Sequence, residues 1–272
     1  VKTAVFTPTY RYGGLDVASA SILRQSIKPD FWIVADEIFD QRQDTWEIIE
    51  QIVFDKGVSI LFIEPHQPVE DAYRNLVAAY NAAAEVSSNL NIDLFISMQD
   101  YMWVPEQGIE RFVELHKLAP NDLLTGITHI SADPFASTIQ NPTDGFSLWE
   151  ESYLDKPKRI HWIDSRIDLY SQYPEDQVIE IDTVHWEANW AAVPVSLFNK
   201  GLRWDAEYDK GIAYENMDLA ARSRVEFGSR VLIDRQNVAI SLPHKEYFEG
   251  EKEAIIEHSN RERFEKKWGQ PC

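Results

Sequence analysis

TAVFTPTYRYGGLDVASASILRQSIKPDFWIVAD, residues 3–36, holds one complete strand–helix–strand unit. Residues 3–7 (TAVFT) are short and rich in β-formers, and Pro8 with the pair Gly13-Gly14 ends that run in a loop. Residues 15–27 place Leu15, Ala18, Ile22 and Leu23 at helical spacing. Residues 31–35 (FWIVA) are an unbroken apolar run that stops at Asp36. A short apolar strand, a helix and a second short apolar strand imply a right-handed crossover between parallel strands.

The same alternation continues outward. Asp44 is a candidate cap for a helix over 45–55, with Trp46, Ile49, Ile52 and Val53 on one face. Residues 58–63 (VSILFI) read as a third strand, 68–86 as an alanine-rich helix and 92–97 (IDLFIS) as a fourth strand. The expected class is α/β, with a mostly parallel central sheet flanked by helices. In such sheets ligands collect at the carboxyl ends of strands. The residues to inspect are therefore Thr7, Pro8 and Thr9, then Asp36-Glu37, Glu64 and Gln99-Asp100. After Asp100 the pattern loosens. Residues 105–118 read as a helix and 123–130 as a strand. A stretch from about 131 to 176, rich in Pro, Asp, Ser and aromatics, reads as a long insertion with little regular structure. Residues 178–183 and 229–233 read as strands, 215–227 as a helix and 251–268 as a charged helical arm.

Composition bounds the function. The chain has 272 residues, 44% of them hydrophobic, which is ample for a buried core and excludes global disorder. Lys and Arg number 26 against 45 Asp and Glu, a formal charge of −19. That field repels phosphate backbones and anionic membrane surfaces, so nucleic acid is not an expected partner. A phosphate-bearing small ligand stays possible, because a divalent cation inverts the local field. No run of about 18 apolar residues reads as a membrane span. Residues 1–8 go straight into apolar alternation, which does not read as a signal peptide. The single Cys272 excludes an internal disulfide and a four-cysteine zinc site. A reducing, cytoplasmic setting is the expectation.

Four groups of residues carry candidate chemistry. In 94–105 (LFISMQDYMWVP) a buried strand runs into Asp100, a carboxylate that either caps the next helix or suits a hard divalent cation that also grips a diphosphate. In 186–222, Trp186 and Trp190 either offer flat faces for sugar rings or fill the core, and Glu215-Asn216-Met217-Asp218 opens a helix. A carboxylate there either interacts with the helix dipole or serves as a general base for a hydroxyl. Arg74, in 71–75 (DAYRN), is placed to pair with phosphate oxygens or to sit solvated. His244 follows the apolar run 238–242 and is either structural or a metal ligand. No H-E-x-x-H, G-x-S-x-G or Walker A pattern occurs, and Gly13-Gly14 is not a dinucleotide fingerprint.

The order of these motifs resembles glycosyltransferases of the GT-A fold, close to family 2. Residues 5–37 (VFTPTYRYGGLDVASASILRQSIKPDFWIVADE) resemble that family's opening, and 70–85 (EDAYRNLVAAYNAAAE) its Ala-Arg-Asn helix. Residues 94–112 resemble its metal-binding strand end, and 188–205 with 214–228 its acceptor region and acidic helix. The resemblance covers roughly residues 3–110 and 184–234. It implies one GT-A-like domain: a nucleotide-binding half (1–104), an acceptor half (105–243) and a C-terminal arm (244–272).

It also implies roles. Thr7, Pro8, Thr9 and Tyr10 would line the base pocket, and Asp36 would bond the base or ribose. Arg74 would meet the diphosphate, with Gln99 beside it. Asp100 and His244 would hold Mn²⁺ or Mg²⁺. Trp186, Asn189 and Trp190 would line the acceptor site, and Glu215 or Asp218 would act as base. Two departures stand out. The usual Asp-x-Asp is Met98-Gln99-Asp100-Tyr101-Met102, and the usual Glu-Asp pair is Glu215-Asn216. The implied activity is transfer of a sugar, from a UDP-sugar first, to a carbohydrate or other hydroxyl acceptor. The alternatives are a non-catalytic sugar- or nucleotide-binding protein on the same fold and a sugar-phosphate nucleotidyltransferase.

Overall fold

The computed structural model describes residues 1–9, 14–64, 75–131, 160–211, 213–242 and 250–269. Four strands open the chain: β1 (Thr3–Thr9), β2 (Phe31–Asp36), β3 (Ser59–Ile63) and β4 (Leu94–Met98). They lie in the order β3-β2-β1-β4, all parallel. β1 runs through Pro8, which pairs with Ala35, so the strand is two residues longer than its β-former run. Between these strands lie α1 (Leu15–Leu23), α2 (Gln43–Asp55) and α3 (Leu76–Asn89). Asp44 falls in the first turn of α2, not at its cap, which is Arg42. The part of the expected third helix before residue 75 lies outside the described residues.

Strand alternation sorts the side chains onto two faces. Ala4, Phe6, Ile33, Ala35 and Phe95 point to one core, which α3 covers with Val77, Tyr80 and Ala83. Val5, Trp32, Val34, Leu94, Ile96 and Met98 point to the other, under Ile22 of α1 and Trp46 and Ile49 of α2. Each fully buried side chain of this size contributes about 1.5–3 kcal/mol.

Beyond β4 the sheet becomes mixed. β9 (Trp190–Pro194) is antiparallel to both β4 and β6 (Leu123–Ser131), and β10 (Val231–Ser241) runs parallel to β6. The two short apolar runs at 229–233 and 238–242 are thus one strand, interrupted by a bulge between Ile233 and Val238. β5 (Met102–Trp103), β7 (Ile160–Trp162) and β8 (Ile179–Ile181) add antiparallel edges. α4 (Gly108–Leu118), α5 (Arg166–Leu169), α6 (Val195–Asn199), α7 (Glu215–Phe227) and α8 (Gly250–Trp268) complete the elements.

Within the expected insertion, residues 132–159 lie outside the described residues, but 160–176 are tied down. Arg166 is buried and bonds Asp164, Thr125, Gly126 and His185. Arg235 reaches back to the carbonyls of Tyr170 and Tyr173.

Candidate active site

The carboxyl ends of β1, β2 and β4 are joined by a buried polar chain. Arg42 holds Asp36 through two nitrogens at 2.7 and 2.8 Å, and both side chains are 1% exposed. The remaining acceptor positions of Asp36 take Trp46 Nε1 at 2.6 Å and the Ile38 amide at 3.0 Å. Arg42 also donates to Thr9 Oγ1 at 3.0 Å, and Thr9 Oγ1 donates to Asp100 Oδ2 at 2.9 Å. A charge needs a partner when it leaves water, and this chain supplies one at each step.

Asp100 is itself buried and leads into Tyr101, a non-glycine residue in the left-handed region at φ 57°. Such backbone costs of order 1–3 kcal/mol and persists only where its surroundings hold it. They do so here. Gly14 lies so close that a Cβ there would sit 2.5 Å from the Tyr101 ring, and the Tyr101 carbonyl accepts from the Leu242 amide at 2.9 Å. The end of β10 is thereby brought to Asp100.

A cavity of about 380 Å³ opens beside this chain, at the ends of β2 and β3. Glu37, Asp40 and Glu64 contribute to its lining, with Phe39 and Phe62 as an aromatic step, their centroids 5.0 Å apart. Its size suits a small ligand, and its acidic lining favours a ring bearing N–H groups over a phosphate.

On the other side of Asp100, β9 brings a second set of groups. The Gln99 amide donates to the Asn189 carbonyl at 3.2 Å, which sets Ala188 and Glu187 over the end of β4. Ser97 bonds the Ala188 carbonyl and shares a 2.7 Å bond with Tyr80. Burial pushes the Tyr80 hydroxyl pKa far up; the Ser97 bond opposes this, and the Glu215 charge adds to it. Glu215 therefore lies within electrostatic reach of that pair. It begins α7 straight after Ala213 and Tyr214, both left-handed at φ 63° and 70°. Asn216 Nδ2 donates to Glu215 Oε1 at 3.0 Å, while Asn216 Oδ1 accepts from Trp204 Nε1 at 3.1 Å.

This arrangement corrects several sequence expectations. Trp186 and Trp190 are 0% and 1% exposed, with their indole N–H groups on the Leu124 carbonyl and Asn237. They are core residues and present no face to a sugar. Thr7 is buried and accepts from Trp32, so it lies beneath the cleft. The Asp36 carboxylate is occupied by protein donors and has no position left for a base. Asp218 is 0% exposed and bonds Arg222, Lys267 and Trp268, so it anchors helices and is not available as a base.

Pro8, Thr9, Gln99, Asp100 and Asn189 lie together at the strand ends, and Glu215 is linked to them through its charge on the Tyr80–Ser97 pair. Tyr10, Arg74 and His244 lie outside the described residues. Sequence reasoning missed Arg42, which has no periodic signal, and Glu187. The Glu187 carboxyl is held above its ordinary pKa by burial, against the pull of Arg166 at 3.9 Å. Among the described residues no three metal-ligating side chains cluster. Of the two expected metal ligands, Asp100 and His244, only Asp100 lies among the described residues.

No protein-family model matches the chain, and no curated protein matches it in sequence. Solved structures do. Residues 1–349 of TarS from S. aureus, in complex with UDP, superpose with a TM-score of 0.58 at 9% identity, over 98% of this chain and 72% of that one. The same protein in complex with UDP-GlcNAc gives 0.59 at 9% identity, over 98% and 71%. This chain has a GT-A glycosyltransferase fold. A longer TarS structure gives 0.54 at 10% identity, and the chain spans 37% of it. The GT-A fold accounts for the parallel first half and for the antiparallel β9 that follows β4 in the sheet. Among the described residues no helix is long and apolar enough to cross a membrane.

Proposed function

We propose that this protein transfers a sugar from a nucleoside-diphosphate donor to a hydroxyl acceptor, with UDP-sugars the first donors to try. The observation that carries this reading is the buried chain Asp36–Arg42–Thr9–Asp100, which links the carboxylate just beyond β4 to the aromatic cavity at the ends of β2 and β3. The base would stack on the Phe39–Phe62 step, and Glu37, Asp40 and Glu64 supply acceptors for its N–H groups. Asp100, held by Thr9, would share a divalent cation with the diphosphate. Mn²⁺ or Mg²⁺ bound there supplies charge neutralisation for the leaving group.

Glu215 is the acceptor-side carboxylate in this reading. It takes the proton of the acceptor hydroxyl as that oxygen bonds to the anomeric carbon. The bond from that carbon to the diphosphate breaks, and its electron pair leaves with the diphosphate. Direct displacement of this kind inverts the anomeric centre. Asn216 stands where the resembled family has a second carboxylate. Its amide donates to Glu215, which keeps one carboxylate without a like charge beside it.

Thermal unfolding with UDP and UDP-GlcNAc, with and without Mn²⁺, tests the donor half. A ligand that binds only the native state raises the melting temperature by mass action. Stabilisation that needs Mn²⁺ and is lost in Asp100→Ala is expected. No response to any nucleotide, in a folded protein, would overturn the reading. Binding without any UDP release would point instead to a sugar-nucleotide-binding protein.

A further inference from the structure

Glu215 follows a turn segment whose own hydrogen bonds are local, and α8, far along the chain, adds a second set. Asn260 of α8 is fully buried, at 0% exposure. Its Nδ2 donates to the Tyr208 carbonyl at 2.9 Å and to the Ala213 carbonyl at 3.1 Å, and its Oδ1 accepts from Arg263 at 2.7 Å. One side-chain amide thus ties the Tyr208 carbonyl to that of Ala213, the first of the two left-handed residues. Gly211 makes the approach possible, since a Cβ there would lie 2.6 Å from Asn260 Cγ. Phe264, one turn further, lies 5.8 Å from the Tyr214 ring. At the end of α8, Lys267 and Trp268 hold Asp218 at 2.8 and 2.9 Å, fixing the first turn of α7. The segment is also tied to the donor half, because the Asp209 carboxylate accepts from the first amides of α3, Val77 and Ala78.

We propose that Asn260 is a positioning residue for the transfer reaction, acting through Glu215. It touches neither donor nor acceptor. Its two donated hydrogen bonds fix the carbonyls of Tyr208 and Ala213, and through Ala213 and Tyr214 the start of α7 at Glu215. This rests on the reading of Glu215 as the acceptor-side carboxylate.

Two variants reach the same contact from opposite sides. Asn260→Ala removes the amide. Gly211→Ala pushes against it, at a residue whose backbone tolerates a side chain. The probes are UDP-GlcNAc with Mn²⁺, read as UDP release, and UDP alone, read as binding. In both variants kcat is expected to fall at least tenfold while KM for UDP-GlcNAc and the affinity for UDP stay within about threefold. Amide hydrogen exchange at Gly211 and Asp218, which bond the carbonyls of Tyr208 and Tyr214, is expected to quicken while β1 and β4 keep their protection.

If one variant does not fold, the other carries the test. Folded variants with kcat within twofold of the wild type overturn the proposal. So does exchange that rises evenly across the molecule, which would mark α8 as general support. A wild type that turns over no nucleotide sugar overturns the functional reading itself, and the role of Asn260 with it. An active wild type with active variants overturns only the role of Asn260.

Discussion

Arg42 and Asp36 are each 1% exposed, so each charge depends on the other. Arg42→Met would leave Asp36 with only Trp46 and the Ile38 amide, and would remove a donor from Thr9. Breaking a buried pair from one side costs about 3–5 kcal/mol. Urea unfolding at neutral pH should show a loss of that order, and a loss under 1 kcal/mol would mean that the pair is not needed there. Asn216 makes a different case. Asn216→Asp replaces the N–H on Glu215 Oε1 with a second carboxylate, at a contact of 3.0 Å. On the proposed mechanism turnover falls at least tenfold, about 1.4 kcal/mol in the barrier, with UDP affinity unchanged. Steady-state kinetics on UDP-GlcNAc would read it, and higher turnover would place the base at residue 216 instead. The positions of Thr9, Asp36 and Asp100 were legible because strand ends can be read from apolar runs. What Asp36 bonds was not, since Arg42 reaches it from outside any periodic element. Trp186 and Trp190 misled because a tryptophan looks the same in sequence whether it lines a cleft or fills a core.

Elements follow the same division. β1 to β4 were legible to within two residues, because each is a short apolar run between polar breaks; β1, β2 and β4 are buried on both faces, and β3 is the half-exposed edge. β9 was not, since WAAVP offers small residues and no alternation. β10 was split in two by its bulge, where Asp234-Arg235-Gln236-Asn237 interrupts the apolar run. Glycines record close approaches that no pattern announces. Gly126 would carry its Cβ 2.3 Å from the Asn237 carbonyl oxygen and 2.5 Å from the Trp190 ring. Gly126→Ala must therefore move backbone, and overpacking of this kind costs about 1–3 kcal/mol. The α3 amides accepted by Asp209 come from more than a hundred residues away, at 2.7 and 2.9 Å. Asp209→Ala strips that cap, and a lost cap costs about 0.5–2 kcal/mol. Hydrogen exchange should localise the loss to the first turn of α3, and exchange unchanged there would show that the cap is dispensable.

For the whole molecule, the response to acid separates exposed from buried carboxylates. At a net charge of −19 the exposed acids repel one another, and protonating them relieves that repulsion. Asp164 works the other way. Burial pushes its pKa up, but the hydrogen bonds and charge of Arg166, with the amides of Thr128 and Arg166, hold it below its ordinary value. Asp205 is likewise pushed up by burial and brought lower by Lys267. A carboxyl whose folded pKa is depressed adds stability that is fully present above its unfolded value, about pH 4. That stability is lost as pH falls through the folded value. Stability should therefore hold from neutral pH to about pH 4 and then drop. Asp164→Asn isolates the effect. At pH 7 it leaves Arg166, 4% exposed, with Glu187 at 3.9 Å as its ion-pair partner beside the neutral acceptors of Thr125, Gly126 and His185, and the loss should fall near the lower end of about 3–5 kcal/mol. As pH falls below the unfolded value and through the depressed folded one, the wild-type carboxyl itself takes up a proton, so the two proteins should converge. Urea midpoints at pH 7, 5 and 3 give the comparison. A gap that stays constant across all three would show that Asp164 acts by shape, and that the acid limb of this protein's stability arises elsewhere.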